Sequence, residues 1–487
     1  MTAPAGREPS AISIDGLTVR YPGRLEAALA DVSLDVSPGE RVGIAGRTGA
    51  GKSTLALTVA GFIPRVIHGA VRGRALVAGI DATRAEPVDL LGRVGIVFSA
   101  PSDQLSGSKL TVREELAFGL ENLGVPRARM DGRIDAVMAR LGIEGLADRE
   151  PSSLSGGEQQ RVAIAGIVIM GPSILVLDEP TAELDPDGAV SVATMLDDLA
   201  AEGTTILCVE HARDILARSD RVIVLDAGRT IADDTPANAL RAADPPLAPG
   251  TVAPLAWTAG RRRAGASVTL DHVGHRYRNG IDAVRDVSLH IAAGEAVAIV
   301  GPNGSGKTTL AKHLDGLLRP TEGRVLIDDE PTAAVPVHRL AATVGFAFQD
   351  PRDQLFERTV EREVAFGPRQ LGTPTAEIAT LVAAALAMTG LTADAGANPY
   401  DLDRSRRKLV TLAGVLAMDP ALLVLDEPTT GQDSEGIERV GRIVRAMQAA
   451  GRTVIAITHD PAFAAKWFDR TIVMRQGRLE DPRPPGA

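Results

Sequence analysis

The chain has 487 residues, of which 45% are hydrophobic, and a formal net charge of −10. This length favours two or more globular domains, and the acidic balance argues against broad electrostatic binding to nucleic acid. A single cysteine, Cys208, excludes a disulfide framework and a cysteine-based zinc site, and it fits a reducing compartment. We expect neither a signal peptide nor a membrane-spanning segment, because no apolar run has the required length and placement.

In chain order, three apolar runs of the first half predict buried strands: "RVGIAG" (41–46), "SILVLD" (173–178) and "TTILCVEH" (204–211). The second half predicts three matching strands: "AVAIVG" (296–301), "ALLVLD" (421–426) and "TVIAITH" (453–459). Helical patterns lie between them. Strands that alternate with helices predict an α/β fold with a largely parallel sheet in each half.

The two halves are an internal repeat. "GRTGAGKST" (46–54) returns as "GPNGSGKTT" (301–309), and "LVLDEPT" (175–181) returns as the same seven residues at 423–429. The order of motifs is the same and their offset is nearly constant, which predicts two homologous domains. We expect the first domain at 10–240, a linker rich in proline and alanine at 241–266, and the second domain at 267–482.

Both glycine loops match G-x-x-x-x-G-K-[ST] directly after a predicted strand, which predicts a phosphate-binding loop for ATP. Lys52 and Lys307 would reach the β- and γ-phosphates, and Ser53 and Thr308 would hold Mg²⁺. A glycine-rich turn with a chance lysine is the alternative, but the chain has only six lysines and two stand here. The predicted ATP-binding residues of the loops are Gly46, Gly49, Ala50, Gly51, Lys52, Ser53, Thr54, Gly301, Asn303, Gly304, Ser305, Gly306, Lys307, Thr308 and Thr309.

An acidic pair follows each strand of the "LVLDEPT" repeat. Asp178 and Asp426 stand at the ends of the strands, where a carboxylate can hold Mg²⁺, and the next residues, Glu179 and Glu427, can act as general bases toward an attacking water. The alternative is an ordinary acidic turn. An identical seven-residue match in both halves favours the catalytic interpretation.

The order of these motifs, together with "LSGGEQQR" (154–161), resembles the nucleotide-binding domains of ABC transporters. The resemblance implies that each half adds an antiparallel β subdomain and a helical subdomain to its parallel sheet, and that the two halves pair head to tail as a sandwich. ATP would then lie between the loop of one half and Ser155, Gly156, Gly157 and Glu158, or their counterparts, of the other. A helix that starts at this segment would point its N–H groups at phosphate.

The same resemblance assigns three further kinds of residue. His211 and His459 would contact the γ-phosphate, although a lone histidine near a strand end is more often structural. Tyr21 and Tyr277 would stack on adenine; a half-buried strand tyrosine is the alternative. Gln349, in "VGFAFQDPRDQLF", would touch Mg²⁺ and couple to a membrane partner.

Two departures from the family pattern fall on one predicted site. Ser99 stands where the second half has Gln349, and "LDRSR" (402–406) stands where the first half has "LSGGE". In a head-to-tail sandwich both departures face the first glycine loop, which predicts one consensus and one degenerate ATP site. Asp403 would place an anion near phosphate, and we expect Arg404 to lose a positive φ that glycine permits.

The residues after this departure are basic. Arg404, Arg406, Arg407 and Lys408 would offset the charge of Asp403 and preserve weak ATP binding. The alternative, for Arg406 and Arg407, is a solvated helix face.

The segments "REELAFGLENLGVP" (113–126) and "EREVAFGPRQLGTP" (361–374) resemble the ATPases of energy-coupling factor importers. The resemblance implies an ATP-hydrolysing subunit on the cytoplasmic face of the membrane, peripheral to it, with ATP and Mg²⁺ as cofactors. Its partners would be a transmembrane coupling subunit and a small substrate-binding membrane subunit, the cargo would be a vitamin or a transition-metal ion, and no nucleic acid would bind.

Two other classes stay open at this point. Soluble tandem ABC ATPases that act on ribosomes usually have a long charged linker, and those that act on DNA carry zinc-binding cysteines; this chain has neither. An ATPase of another ABC transporter class, such as a peptide importer or an exporter, is the third alternative.

Overall fold

The computed structural model describes residues 10–24, 26–182, 184–243, 264–278 and 280–480. It divides into two compact units, Met1–Leu247 and Ala248–Ala487. The predicted linker, 241–266, lies outside the described residues between positions 244 and 263. At its start, the last helix of the first unit continues past the predicted domain boundary to Ala243.

The first unit contains a six-stranded sheet and a four-stranded antiparallel sheet. The six-stranded sheet has the order β10-β9-β3-β8-β7-β6, and its pairs are parallel except that of β9 with β10. The four-stranded sheet has the order β2-β1-β4-β5. The strands are β1 (Ile12–Arg20), β2 (Leu29–Val36), β3 (Arg41–Gly46), β4 (Ala70–Val77), β5 (Ile80–Asp81), β6 (Val94–Val97), β7 (Ile174–Asp178), β8 (Thr205–Val209), β9 (Arg221–Asp226) and β10 (Arg229–Asp234).

The helices of the first unit form two groups. Helices α3, α4 and α5 pack on one another as a helical subdomain, while the others accompany the sheets. The helices are α1 (Lys52–Val59), α2 (Pro87–Leu90), α3 (Val112–Asn122), α4 (Arg127–Leu141), α5 (Gly156–Val168), α6 (Pro186–Ala201), α7 (Arg213–Leu216) and α8 (Pro236–Ala243).

The second unit repeats this plan. Its six-stranded sheet has the order β16-β17-β18-β13-β19-β20 and its antiparallel sheet the order β12-β11-β14-β15. Helices α11, α12 and α13 form the helical subdomain. The elements are β11 (Val268–Arg276), β12 (Asp282–Ile291), β13 (Ala296–Val300), α9 (Lys307–Leu314), β14 (Glu322–Ile327), β15 (Glu330–Pro331), α10 (Val337–Leu340), β16 (Val344–Ala347), α11 (Val360–Gln370), α12 (Thr375–Thr389), α13 (Arg404–Ala417), β17 (Leu422–Asp426), α14 (Ser434–Ala449), β18 (Thr453–Thr458), α15 (Pro461–Trp467), β19 (Arg470–Arg475) and β20 (Arg478–Glu480).

The predicted strands are the centre of each core. Every residue of β7, β8, β13, β17 and β18 is buried, as expected for parallel strands covered on both faces. The fold class predicted from the sequence, two α/β domains each with an antiparallel and a helical subdomain, is confirmed.

Candidate functional site

Three neighbouring strands deliver the predicted site residues of the first unit to one edge of the sheet. Strand β8 lies between β3 and β7, with Ile44 paired to Val209 and Val209 to Asp178. Because carboxyl ends of parallel strands meet at the same edge, the glycine loop, the acidic pair and the histidine follow one another there. Strands β13, β18 and β17 make the same arrangement in the second unit.

The backbone of each loop requires glycine. Gly51 has a φ of 99° and a Cβ there would lie 2.3 Å from the carbonyl oxygen of Ala28. Gly306 has a φ of 101° and a Cβ would lie 2.1 Å from the carbonyl oxygen of Ala283. Each of these glycines caps the helix that follows, α1 or α9, whose first N–H groups have no partner in the helix itself. The loops are therefore built to present N–H groups to an anion.

Both loop lysines are held over their own loops. Lys52 Nζ donates to the carbonyl oxygens of Gly46, at 2.9 Å, and Arg47, at 3.0 Å. Lys307 Nζ donates in the same way to Gly301, at 2.7 Å, and to the residue after it. An ammonium group fixed above a loop of N–H groups is the arrangement that binds phosphate.

The remaining loop residues lie on the same turns. Gly49 and Gly304 have positive φ values, and Ala50 is buried. The buried hydroxyl of Ser305 has no hydrogen-bond partner among the described residues. A polar atom in this state fits a loop whose natural partner is a ligand.

The predicted adenine-stacking tyrosines lie against the helices that follow the loops. The Tyr21 hydroxyl is 3.1 Å from Thr54 Oγ1, and the Tyr277 hydroxyl is 3.0 Å from Thr309 Oγ1. Tyr21 is partly buried against the core, whereas Tyr277 is 37% exposed. Their role toward adenine stays a prediction.

The predicted Mg²⁺ ligands form one pair in each unit. The Ser53 hydroxyl donates to Asp178 Oδ1 at 3.1 Å, and the Thr308 hydroxyl donates to Asp426 Oδ1 at 3.2 Å. Hydroxyl and carboxylate oxygens are the donors that Mg²⁺ prefers, so these residues fit the cation. When bound, Mg²⁺ neutralises charge that develops on phosphate oxygens.

The pKa values of these two aspartates are raised toward neutral pH. Burial, followed by the negative charge of Glu179, raises the pKa of Asp178 to about 7. Burial and the charge of Glu427 raise the pKa of Asp426 to about 6. A cation beside either carboxylate would favour its ionised form. Cation binding would therefore offset the effect of burial and lower these pKa values.

The predicted general bases stand in a strained conformation. Glu179 has a φ of 52° and Glu427 a φ of 48°, backbone angles that residues other than glycine rarely adopt. Strain of this kind persists where the surrounding structure imposes it, and it concentrates at functional sites.

In the second unit, the histidine binds the general base directly. His459 Nδ1 is 2.8 Å from Glu427 Oε2, and the main-chain N–H of His459 donates to the same oxygen at 3.2 Å. Burial favours a higher pKa for Glu427, but the hydrogen bond and charge of His459 and the charge of Lys307 outweigh it and lower the pKa. The carboxylate is therefore kept ionised, as a base must be.

In the first unit, the equivalent histidine, His211, contacts two different glutamates. His211 Nε2 lies 3.3 Å from Glu179 Oε1, but its main-chain N–H donates to Glu210 Oε2 at 2.7 Å. Glu210 is a site residue that was not predicted from the sequence. The signal was available in the repeat, where "CVEH" stands opposite "AITH" and a glutamate replaces Thr458.

Ser99 and Gln349 occupy equivalent places, just after β6 and β16, and both are half-buried. Each thus lies beyond the carboxyl end of a strand next to the one that carries the acidic pair. Contact of Gln349 with Mg²⁺ stays a prediction.

The "LSGGE" segment begins helix α5. Ser155 is its N-cap: the hydroxyl accepts from the Glu158 N–H and donates to Glu158 Oε2 at 2.9 Å, while the Glu158 carboxylate accepts from the Ser155 N–H. This reciprocal capping box holds the first turn, whose N–H groups include those of Gly156 and Gly157.

The "LDRSR" segment begins helix α13 in the same way, with Asp403 as the N-cap that accepts from the Arg406 N–H at 2.9 Å. One expectation about it is wrong. Gly156 and Arg404 are both the first residue of their helices, so arginine loses no positive φ at this position. What changes at the N-cap itself is the side chain, from the hydroxyl of Ser155 to the carboxylate of Asp403.

The last three residues of the basic run contact three different partners. Arg406 pairs with Asp394 at 2.8 Å, and Arg407 Nε donates to the Leu402 carbonyl. Lys408 is buried, and its ammonium donates to the main-chain carbonyl of Glu427 at 2.9 Å. Lys408 therefore links α13 to the acidic pair of its own unit, a contact that sequence reasoning missed.

The fold and these sites define two P-loop nucleotide-binding units. The family model described as "ABC transporter" matches residues 29–182 and 284–430. A protein of Methanosarcina acetivorans named "Putative ABC transporter ATP-binding protein" is 37% identical, covering 96% of this chain and 85% of that protein. A protein of Caldanaerobacter subterraneus subsp. tengcongensis that carries the same description is 34% identical, covering 96% of this chain and 90% of that one.

Solved structures also match single units. The structure of cbiO1 from Clostridium perfringens, part of the ABC transporter complex cbiONQ, is 34% identical and covers 44% of this chain and 86% of its own, with a TM-score of 0.41.

The chain belongs to the ABC transporter family. It is an ATPase, the ATP-binding component of a transporter of this family, whose ATPases bind ATP, typically with Mg²⁺, and work with membrane subunits. Within the described residues, no helix combines the length and the apolar character that crossing a bilayer demands.

Proposed function

We propose that this chain energises an importer of the energy-coupling factor type. It would couple ATP binding and hydrolysis to the uptake of a vitamin or a transition-metal ion through separate membrane subunits. The observation that carries the proposal is the pair of similar segments "AFGLEN" and "AFGPRQ", on α3 and α11.

The surfaces around these two helices support a role in docking. Phe118, on α3, is 38% exposed, and Lys109 lies over its ring while pairing with Glu121. Near α11, Phe356 is 59% exposed and meets the ring of Phe366 edge to face. Exposed aromatic rings beside charged groups are typical of protein interfaces. A transmembrane coupling subunit is the partner that the family resemblance implies, and it would hold the chain at the cytoplasmic face of the membrane.

The geometry of each unit supports the following residue roles. The N–H groups of the loops, with Lys52 and Lys307, would bind the phosphates; Asp178 and Asp426, with the hydroxyls beside them, would hold Mg²⁺. Glu427 and Glu179 would take a proton from the attacking water, and the histidines beside them would orient them and contact the γ-phosphate.

The halves would pair head to tail, so that each loop meets the helix start of the other half. Then the second loop, with Gln349 in its unit, meets Ser155. The first loop, with Ser99, meets Asp403. The first site would hold nucleotide and turn it over slowly, because a carboxylate replaces a hydroxyl that faces phosphate.

Affinity purification of the full chain from its native membrane tests the proposal. We expect a coupling subunit and a small substrate-binding subunit to co-purify, with one copy of the chain per complex by native mass spectrometry. One copy suffices because the linker supplies the second domain at high effective concentration. Co-purification of ribosomes, DNA or a peptide permease would contradict the importer type, and two copies of the chain per coupling subunit would contradict pairing within one chain.

A further inference from the structure

Glu210 is a buried carboxylate that joins two loops of the first unit. It is 3% exposed, and Glu210 Oε1 accepts hydrogen bonds from the main-chain N–H of Thr181, at 3.2 Å, and from the Thr181 hydroxyl. Glu210 Oε2 accepts from the main-chain N–H groups of His211, at 2.7 Å, and Ala212, at 3.4 Å. A buried carboxyl group is tolerated when it is hydrogen-bonded in this way. One side chain thus holds the segment after Glu179 and the segment that carries the histidine.

The second unit has a different residue at this position and different hydrogen bonds. Thr458 stands at the equivalent position, and its hydroxyl accepts from the N–H of Asp460 at 3.0 Å. The main-chain N–H of His459 donates to Glu427 itself. A main-chain N–H has one hydrogen to donate, so the residue at this position decides whether the general base receives it.

We infer that Glu210 is a positioning residue of the first nucleotide site. It accepts the main-chain N–H of His211, whereas in the second unit the equivalent N–H, that of His459, holds the general base Glu427. This assignment rests on the proposed function, since it concerns the rate of one of the two ATP sites. It adds a determinant of unequal turnover that lies within the first unit and does not depend on "LDRSR".

The consequence for chemistry concerns the contacts between the histidine and the base. In the second unit the histidine fixes one carboxylate oxygen through both its ring and its main chain, which restrains the base in the orientation that proton transfer needs. In the first unit the ring contact to Glu179 is 3.3 Å and the main-chain N–H is bound elsewhere.

Nuclear magnetic resonance of the full chain labelled with ¹⁵N-histidine tests the hydrogen bond. The chain has eight histidines, and loss of one signal in His211→Asn assigns the amide of His211. We expect its amide proton to move upfield in Glu210→Thr, and by less in Glu210→Gln, because the bond to a carboxylate is the stronger. The amide of His459 should stay in place. An unmoved His211 signal in both variants, or equal movement of both histidine signals, would overturn the inference.

Steady-state ATPase kinetics test the consequence in the second unit. Thr458→Glu introduces the carboxylate opposite Thr429, which matches Thr181, and Thr458→Gln is a control of similar size without charge. We expect kcat to fall about tenfold in Thr458→Glu with KM nearly unchanged, and to fall less in Thr458→Gln. Equal losses in both variants would overturn the inference. A wild-type chain without ATPase activity would instead contradict the proposed function, while the amide signal still decides the role of Glu210.

Discussion

The two candidate sites, each at the edge of its sheet where the glycine loop, the acidic pair and the histidine meet, share a backbone plan. They differ in how they hold the predicted general base. Loop lysines, hydroxyl–aspartate pairs and left-handed glutamates match closely in both units. The histidine contacts do not match, since Glu427 receives two of them and Glu210 takes one in the first unit. Duplicated domains can therefore keep the loops, hydroxyl–aspartate pairs and glutamates alike while the contacts of the histidine diverge.

The starts of helices α5 and α13 add a second contrast. Serine and aspartate are both good N-caps, so the exchange of Ser155 for Asp403 preserves the helix. It changes the group at the helix start from a hydroxyl to a carboxylate. We expect a change that is neutral for folding to be unfavourable for anion binding at this helix start.

The largest expected effect separates the two general bases. In the assembled transporter, Glu427→Gln should reduce ATPase activity about 10²–10⁴-fold, because general-base assistance is worth that much. Glu179→Gln should cost much less, since under the proposed function the first site contributes little turnover. Steady-state ATPase of both variants checks this, and equal losses would mean that "LDRSR" works as well as "LSGGE".

Restoring the hydroxyl at the degenerate helix start sharpens the same comparison. In a Glu427→Gln background, Asp403→Ser should raise the residual ATPase activity about tenfold if the units pair head to tail, because the change would then remove an anion from the neighbourhood of phosphate. Serine caps the helix as aspartate does, so stability should change little. Asp401→Ser, an acidic-to-serine change two residues earlier, is the matched control. Equal activity in both variants would show that Asp403 does not face phosphate.

Charge reversal compares the docking surfaces. Arg369 is an exposed residue in the last turn of α11, and Arg369→Glu should weaken association with the membrane subunits about tenfold through lost charge complementarity. Glu121→Arg in the first unit should act similarly. ATP affinity should not change in either. Glu330→Arg, at an exposed position on the antiparallel sheet, is the control in co-purification assays; loss of ATP binding without loss of co-purification would refute the docking role.

The smallest expected effect is a pH-dependent stability difference in the second unit. Folding lowers the pKa of Glu427, so its contribution is complete above the ordinary value of 4.5 and is lost as pH falls through the lowered pKa. Folding raises the pKa of His459, because the hydrogen bond and charge of Glu427 outweigh burial, so its contribution is complete below 6.5 and is lost as pH rises through the raised pKa.

His459→Gln should therefore lower the Tm of the second unit by about 2–4 °C, most strongly between the two ordinary pKa values. Calorimetry across pH measures this. A difference that does not vary with pH would mean that the ion pair adds nothing to stability.

The repeat of motifs was enough to predict the core of the fold. Apolar runs that stop at glycine or aspartate became β3, β7 and their counterparts, because a fully buried parallel strand leaves a continuous apolar signature. The loop glycines were equally predictable, since few other residues tolerate their φ values. Head-to-tail pairing and the individual roles of the site residues stay predictions.

Arg404, Lys408 and Glu210 show where the sequence was insufficient. The expectation for Arg404 was wrong because the position proved to be the first residue of a helix, and one residue letter does not specify a backbone angle. Lys408 was expected, with the arginines before it, to offset the charge of Asp403, yet its ammonium is buried against the carbonyl of Glu427. Glu210 was visible as a difference between the repeats, but one of its two carboxylate oxygens binds Thr181, in another loop.

By itself, then, the sequence determined the family, the two nucleotide-binding units and the residue types at each candidate site, because these are local patterns of backbone conformation and burial. The tertiary structure alone decided which acceptor each histidine N–H reaches, and that Lys408 points inward. Those choices depend on the distances between segments far apart in the chain, and a hydrogen bond is made or lost within a few tenths of an ångström.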